Sequence, residues 1–196
     1  MAGKRDIKRA ELKSALIKAA TSIISEEGVR GLNSRNVTTK AGCALGSLYT
    51  AFKDLDDLII HVNSQTLARL GEALQTGIVG EKEPTAVLKR LAKSYIGFAE
   101  SNFSLWNALF EFGDMTDKVP DWHQQDQELL VRFIKEPVHQ LSPNLSETEA
   151  LQRSRTLFAA VHGIVAFSLQ NRFIGLKMDE LEDELMRFID QMLAGL

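Results

Sequence analysis

V-R-G-L-N-S-R-N-V-T-T-K-A-G-C-A-L-G-S-L-Y-T-A-F-K-D-L-D-D-L, residues 29–58, decides how this chain is read. Asn33 or Ser34 is placed to cap a short helix running to about Lys40, Gly42 interrupts the pattern, and a second short helix runs from Leu45 to Ala51. Two short helices joined by a three- or four-residue turn containing Gly form a helix-turn-helix. The purpose of such a unit is to place its second helix in the major groove of DNA.

Upstream, the pattern predicts a helix over about Asp6–Glu27 that stops at Gly28, with Leu16, Ile17, Ala20, Ile23 and Ile24 as its apolar stripe. That stripe should close a small core with Leu32, Val37, Ala41, Leu45, Leu48 and Phe52. Three helices in about 50 residues bury little apolar area, so this head should lean on the helices downstream of it.

Charge divides the chain the same way. Residues 1–53 hold ten Lys/Arg against four acids, while the remaining residues hold 13 against 22, and the overall net charge is −3. A basic head on an acidic body fits a DNA-binding domain joined to a body with another task, although a solvated basic face reads identically. The single cysteine, Cys43, excludes a disulfide framework and a thiolate metal cluster within one chain, which favours a reducing, cytoplasmic setting. The basic start of the chain is not followed by the apolar core of a secretory signal. No apolar run approaches the ~20 residues of a membrane span, so no membrane partner is expected.

Downstream, everything reads as helix, and no stretch alternates in the strand pattern. The expected elements are Leu55–Ile78, opened by Asp54, Asp56 and Asp57; Pro84–Ser101; an aromatic helix at 103–112; and Asp121–Gln140, ended or kinked by Pro137. Ser146 and Glu149 then form a capping box that opens a helix to about Phe173, closed by Gly175, and Met178–Leu193 is the last. The expected fold is all-α with about nine helices: a helix-turn-helix domain at 1–54 and a larger helical domain at 55–196.

The order A-L-I-K-A-A-T-S-I-I-S-E-E-G, then L-N-S-R-N-V-T-T-K-A-G-C-A-L-G-S-L-Y-T-A-F-K-D-L-D-D-L, over about residues 12–60, resembles the N-terminal domain of TetR-type (tetracycline-repressor-like) transcriptional regulators. V-H-G-I-V-A-F-S-L-Q-N-R-F at 161–173 is similar to the W-H-G segment of one C-terminal subclass, with Val161 in place of Trp. The resemblance implies an all-α homodimer, palindromic operator binding by two heads, and a small-molecule pocket in the body, and so assigns effector binding and dimerisation to the domain at 55–196. The chain departs from the usual pattern at Val37-Thr38 (usually Ile-Ala), Ala44 (a Ser or Thr cap), Ala51 (His) and Leu55 (Lys). The last removes a common phosphate contact, for which Lys53 is a substitute.

Leu45, Ser47 and Thr50 lie where a recognition helix meets base edges, and Gly46 sits among them. Leu45 reads equally well as core. Tyr49, Lys53, Asn33, Ser34 and Arg35 are the phosphate candidates, with Tyr49 as a purely structural aromatic the alternative. Lys4, Arg5, Lys8 and Arg9 are either DNA contacts or a solvated tail, and Cys43 reads as a packing residue before a redox sensor. For an effector of unstated identity, Phe98, Phe103, Trp106, Phe110 and Trp122 are candidate walls and His61 a candidate polar partner. The last two helices carry more apolar residues than one hairpin can hide. Leu157, Val161, Ile164, Val165, Leu185, Phe188 and Met192 are therefore the expected homodimer interface.

An enzyme is not expected, and no cofactor or metal is implied. One Glu-x-x-His unit exists, Glu136 to His139, with Pro137 inside it and no second copy, and no catalytic fingerprint is present. The reading is a DNA-binding regulator, a ligand-responsive repressor. Its rival is a helical interaction or small-molecule-binding protein that has lost DNA binding, which Ala44 and Leu55 keep open.

Overall fold

The computed structural model describes residues 3–111, 120–171 and 173–195, without the side chains at 4, 121, 122 and 124–129. Among the described residues it is all-α. Nine helices run in order: α1 (Lys4–Glu27), α2 (Ser34–Ala41), α3 (Leu45–Ala51), α4 (Leu55–Gly77), α5 (Pro84–Ser101), α6 (Phe103–Glu111), α7 (Asp121–Leu141), α8 (Glu147–Leu169) and α9 (Met178–Leu193). A single 3-10 turn, Val29–Gly31, links α1 to α2.

Most ends arise from local chemistry. Gly28 closes α1 at φ 73°, and its N–H reaches the Ile24 carbonyl at 2.9 Å. Asn33, rather than Ser34, caps α2 by accepting from the Asn36 N–H at 2.9 Å. Gly42 ends it in the left-handed region at φ 70°, which an L side chain enters only at a cost. Asp54 accepts from the Asp57 N–H at 2.8 Å, and Asp57 accepts from the Lys53 N–H at 2.9 Å, so two carboxylates lock the start of α4. Ser146 and Glu149 form the expected capping box on α8.

Pro137 lies inside α7, which runs on to Leu141, within a residue of the expected end, so the proline does not end the helix. One end differs from the sequence reading. α8 stops at Leu169, four residues short of Phe173. Beyond Leu169 the chain turns at Asn171, left-handed at φ 50°, whose N–H donates to the Ser168 carbonyl at 3.0 Å. The buried Ser168 hydroxyl accepts from the Leu176 N–H at 3.0 Å, and Gly175 lies so close that a Cβ there would sit 2.4 Å from the Phe167 carbonyl oxygen. Gly175 is thus the point where the chain passes the end of α8, not the residue that closes it.

The chain forms two compact units: Met1–Ala68 with Asn102–His123, and Arg69–Ser101 with Gln124–Leu196. In the first, the α1 stripe, Leu32, Val37, Leu48 and Phe52 make the core, and Leu105 and Ala108 of α6 complete it. Asn63 donates to the Ala108 carbonyl at 3.3 Å and fixes α6 to α4. The helix-turn-helix borrows its missing apolar surface from a segment fifty residues downstream in the sequence. In the second unit, α5, α8 and α9 pack mutually. Lys89 and Lys93 of α5 reach Asp190 and Glu182 of α9 across that packing, each pair at 2.6 Å.

Candidate nucleic-acid interface and the apolar cavity of the body

Leu45 belongs to the surface. It is 45% exposed and Tyr49 57%, while Leu48 between them is fully buried. A seven-residue helix with Leu48, Ala51 and Phe52 anchored inward presents its other face to solvent, and Leu45, Gly46, Tyr49 and Thr50 all lie there. Ser47 is half-buried beside them. Leu45 is therefore not part of the head core, whereas Tyr49 is exposed and also bonded within the head.

Hydrogen bonds limit what these groups can offer. Thr50 Oγ donates to the Gly46 carbonyl at 3.1 Å, leaving the hydroxyl as an acceptor and its methyl exposed. The Tyr49 and Ser34 hydroxyls meet at 3.3 Å, which ties the reading helix to the start of α2. Asn33, Arg35 and Lys53 are exposed, and Ser34 is half-buried. All nine DNA-contact candidates therefore belong to α2, α3 and their flanks. Thr38, the departure within α2, is 3% exposed, and its hydroxyl donates back to the Ser34 carbonyl at 2.8 Å, so the helix crossing accommodates it. Ala44 caps α3 with no side-chain bond, as its residue type dictates.

Lys40 is held away from any such role. Its ammonium lies 3.0 Å from both Glu26 carboxylate oxygens. The Ser22 hydroxyl, then Lys40, holds the Glu26 carboxyl below its usual range. At the other end of the chain's basic region, Arg5, Lys8 and Arg9 are exposed on the first turns of α1, which begins at Lys4; a helix, not a loose tail, carries them.

The candidate effector residues do not converge. His61 sits against the head: its ring meets Phe52 at 5.1 Å, its Nδ1 donates to the Asp57 carbonyl at 2.8 Å, and Lys13 Nζ lies 3.4 Å from Nε2. Phe103, Trp106 and Phe110 form a ring contact series along α6, in the head unit, with Trp106 fully buried. Phe98 is buried in the other unit beneath Arg69. The Trp122 side chain lies outside the described residues.

A cavity does exist, elsewhere. It encloses about 40 Å³ within the second unit, lined by α4, α5, α7, α8 and α9 through side chains such as Leu74, Leu88, Leu91, Tyr95, Phe158 and Val161. None of the six residues named from the sequence lines it. Its wall is aliphatic and aromatic, and Tyr95 is its hydroxyl-bearing member. The Tyr95 hydroxyl meets His162 Nδ1 at 2.8 Å, and Phe158 stacks on the imidazole at 6.0 Å. Burial holds the His162 imidazole below its ordinary value, favouring the neutral ring. The helical spacing of Leu88, Leu91, Ala92 and Tyr95 on α5 was the signal for this cavity; the aromatic cluster was more conspicuous.

The expected interface residues divide. Leu157, Val161, Val165 and Leu185 are between 0% and 7% exposed in the single chain. The α8–α9 hairpin packs on α5 as well as on itself, so these four serve the chain's own core. Ile164 and Phe188 are half-buried, and Met192 is 36% exposed. Phe167 at 45% joins them on the outer face.

A solvent-facing reading helix held by a Gly turn, on an all-α body with an apolar cavity, defines a helix-turn-helix transcriptional regulator. The profile of the tetracycline-repressor-like C-terminal domain matches residues 88–192, more than half of the chain, and the chain belongs to that family of DNA-binding regulators. Solved structures share the fold. A Rhodococcus sp. RHA1 protein of unknown function aligns with a TM-score of 0.76 at 21% identity, covering 94% of this chain and 95% of its own. A TetR-like transcriptional regulator of the same organism gives 0.68 at 18% identity, over 94% and 97%. A TetR-family regulator of Streptomyces coelicolor gives 0.71 at 16% identity, over 100% and 96%. No curated protein sequence matches the chain. Among the described residues, no helix is long and apolar enough to cross a membrane.

Proposed function

We propose that the chain is a dimeric, ligand-responsive repressor that reads a palindromic operator through two copies of α3. The observation that carries this reading is the exposure of Leu45 and Tyr49 beside Thr50, on a helix whose opposite face is anchored in the head core. Large apolar side chains left on a small surface mark a binding face. Leu45 meets a thymine methyl, Ser47 and Thr50 read polar base edges, and Tyr49, Lys53, Asn33, Ser34 and Arg35 hold phosphates. A second copy of the chain pairs along the outer α8–α9 face, through Ile164, Phe167, Phe188 and Met192. Two heads on one duplex face then sit about 34–36 Å apart, or at a related spacing. A small molecule held in the body favours the other arrangement of the heads, which requires that it bind the two arrangements unequally.

The test is duplex binding by the full chain to DNA flanking its own coding region, at a series of salt concentrations. Log affinity falls linearly with log salt, with a slope set by the number of phosphates contacted. Affinity that is flat in salt sinks the DNA-reading assignment and leaves the helical interaction protein. A tight ligand that leaves operator affinity unchanged sinks the switching part alone.

A further inference from the structure

The apolar cavity has a neighbour. Beside it lies an open groove of about 560 Å³, lined by Gln75 and Ile78 at the end of α4, by Lys82 and Val87, and by Arg132 and Glu136 of α7. The two spaces take neighbouring residues from the same helices: Leu74 and Gln75, Val87 and Leu88, and Arg132 and Ile134 on either side of Phe133. One side chain, Phe133, lines both. It is half-buried, between the narrow chamber and the wider groove. The chamber at about 40 Å³ admits a water or two, whereas ligand sites run to roughly 300–1,000 Å³. Occupation by anything larger requires the wall to move, and Phe133 is the part of the wall that the two spaces share.

Resting on the ligand-responsive reading above, we propose that Phe133 is the door of the effector site, and that the joined space takes a single-chain amphiphile with an anionic head. Its apolar end passes Phe133 into the chamber between Leu91, Ala92 and Val161, and its next carbons lie along Ile78, Val87 and Pro137. The head stays in the groove. The charges there decide its sign. Glu81 is committed: it bonds Arg90 at 3.0 Å, and the Glu83 and Lys82 backbone amides hold its carboxyl below the usual range. Glu136 accepts from Gln140 at 2.9 Å. Lys82 and Arg132 are exposed, and among the described residues neither enters an ion pair. A carboxylate or sulfate head therefore meets two cations outside any ion pair, whereas an ammonium head meets one unpaired carboxylate, Glu136, already accepting from the neutral Gln140 amide.

Calorimetry on the full chain, below the micellar range, tests this with decanoate, 1-decanol and decylamine. Decanoate binds tightest and decylamine weakest. Lys82→Ala with Arg132→Ala weakens decanoate about fivefold, the scale of an exposed ion pair, and leaves decanol unchanged. Ala92→Leu fills the chamber and weakens both decanoate and decanol about tenfold, as the loss of roughly two buried methylenes requires. Phe133→Ala speeds association of decanoate in stopped flow. Thermal unfolding of each variant separates lost binding from lost folding, and the Lys82/Arg132 arm lies on the surface, away from the core. Equal binding of all three probes refutes the anionic head. Unchanged binding in Ala92→Leu refutes the chamber, and an unchanged association rate in Phe133→Ala refutes the door. Decanoate binding without loss of operator affinity keeps this site and sinks the effector reading. Operator release by another compound, with no decanoate binding, does the reverse.

Discussion

Ala44→Ser restores the side-chain cap that the reading helix lacks, and its effect can be worked out from the backbone already present. Ala44 sits at φ −70°, ψ 150°. Ser146, which caps α8 with its hydroxyl, sits at φ −64°, ψ 160°. The two conformations coincide within ordinary scatter, so a serine at 44 accepts from the Gly46 or Ser47 N–H without backbone rearrangement. Residue 44 is exposed, so no hydroxyl is desolvated. Replacing a capping Ser by Ala typically costs ~1 kcal/mol, and the reverse change should gain about 0.5–1 kcal/mol. For a chain of this size that is about 1–4 °C in Tm. Urea unfolding followed by tryptophan fluorescence is the suitable assay, because both tryptophans, Trp106 and Trp122, fall within the unit that contains the head. The midpoint rises with the slope unchanged. Ala44→Val, which has no acceptor, is the control, and Ser146→Ala should lose a comparable amount. If Ala44→Ser and Ala44→Val share one midpoint, the capping argument is wrong and α3 is held by its buried face alone.

Tyr49→Ala should weaken binding to every duplex by a similar factor, whereas Ser47→Ala should relax preference at one operator position; competition against a set of single-base operator variants distinguishes these, and equal behaviour overturns the division of roles. His162 gives a pH dependence. Because its folded pKa is lowered from 6.5, stability is complete above that value and is lost as pH falls below it, toward the folded pKa. The advantage of the wild type over His162→Gln in urea midpoint should therefore be larger at pH 7.5 than at pH 5.5; a gap that widens on acidification contradicts the buried neutral ring. Trp106→Ala, at a fully buried position in α6, should cost about 3–5 kcal/mol and abolish duplex binding along with head stability, and retention of both would refute the packing of α6 into the head.

The sequence by itself determined the local features. The Asn33 cap of α2, the Gly42 turn and the Ser146 capping box were legible because a cap or a left-handed glycine is decided within a few residues. The family was legible for the same reason, since its strongest pattern is a turn and two caps. Tertiary structure decided where apolar faces go. Periodicity says that Leu45 and Leu48 are apolar; only packing says that Leu48 enters the core and Leu45 faces solvent. The same holds for Val161 and Ile164 on α8, where α5 claims one and leaves the other outward. The α6 aromatics looked like a ligand wall, but α6 joins the head core through Leu105 and Ala108, which no spacing in the sequence reveals. Contacts between segments far apart in the chain have no local signature, so the cavity, its Phe133 wall and the membership of α6 in the head emerged only once the helices were assembled.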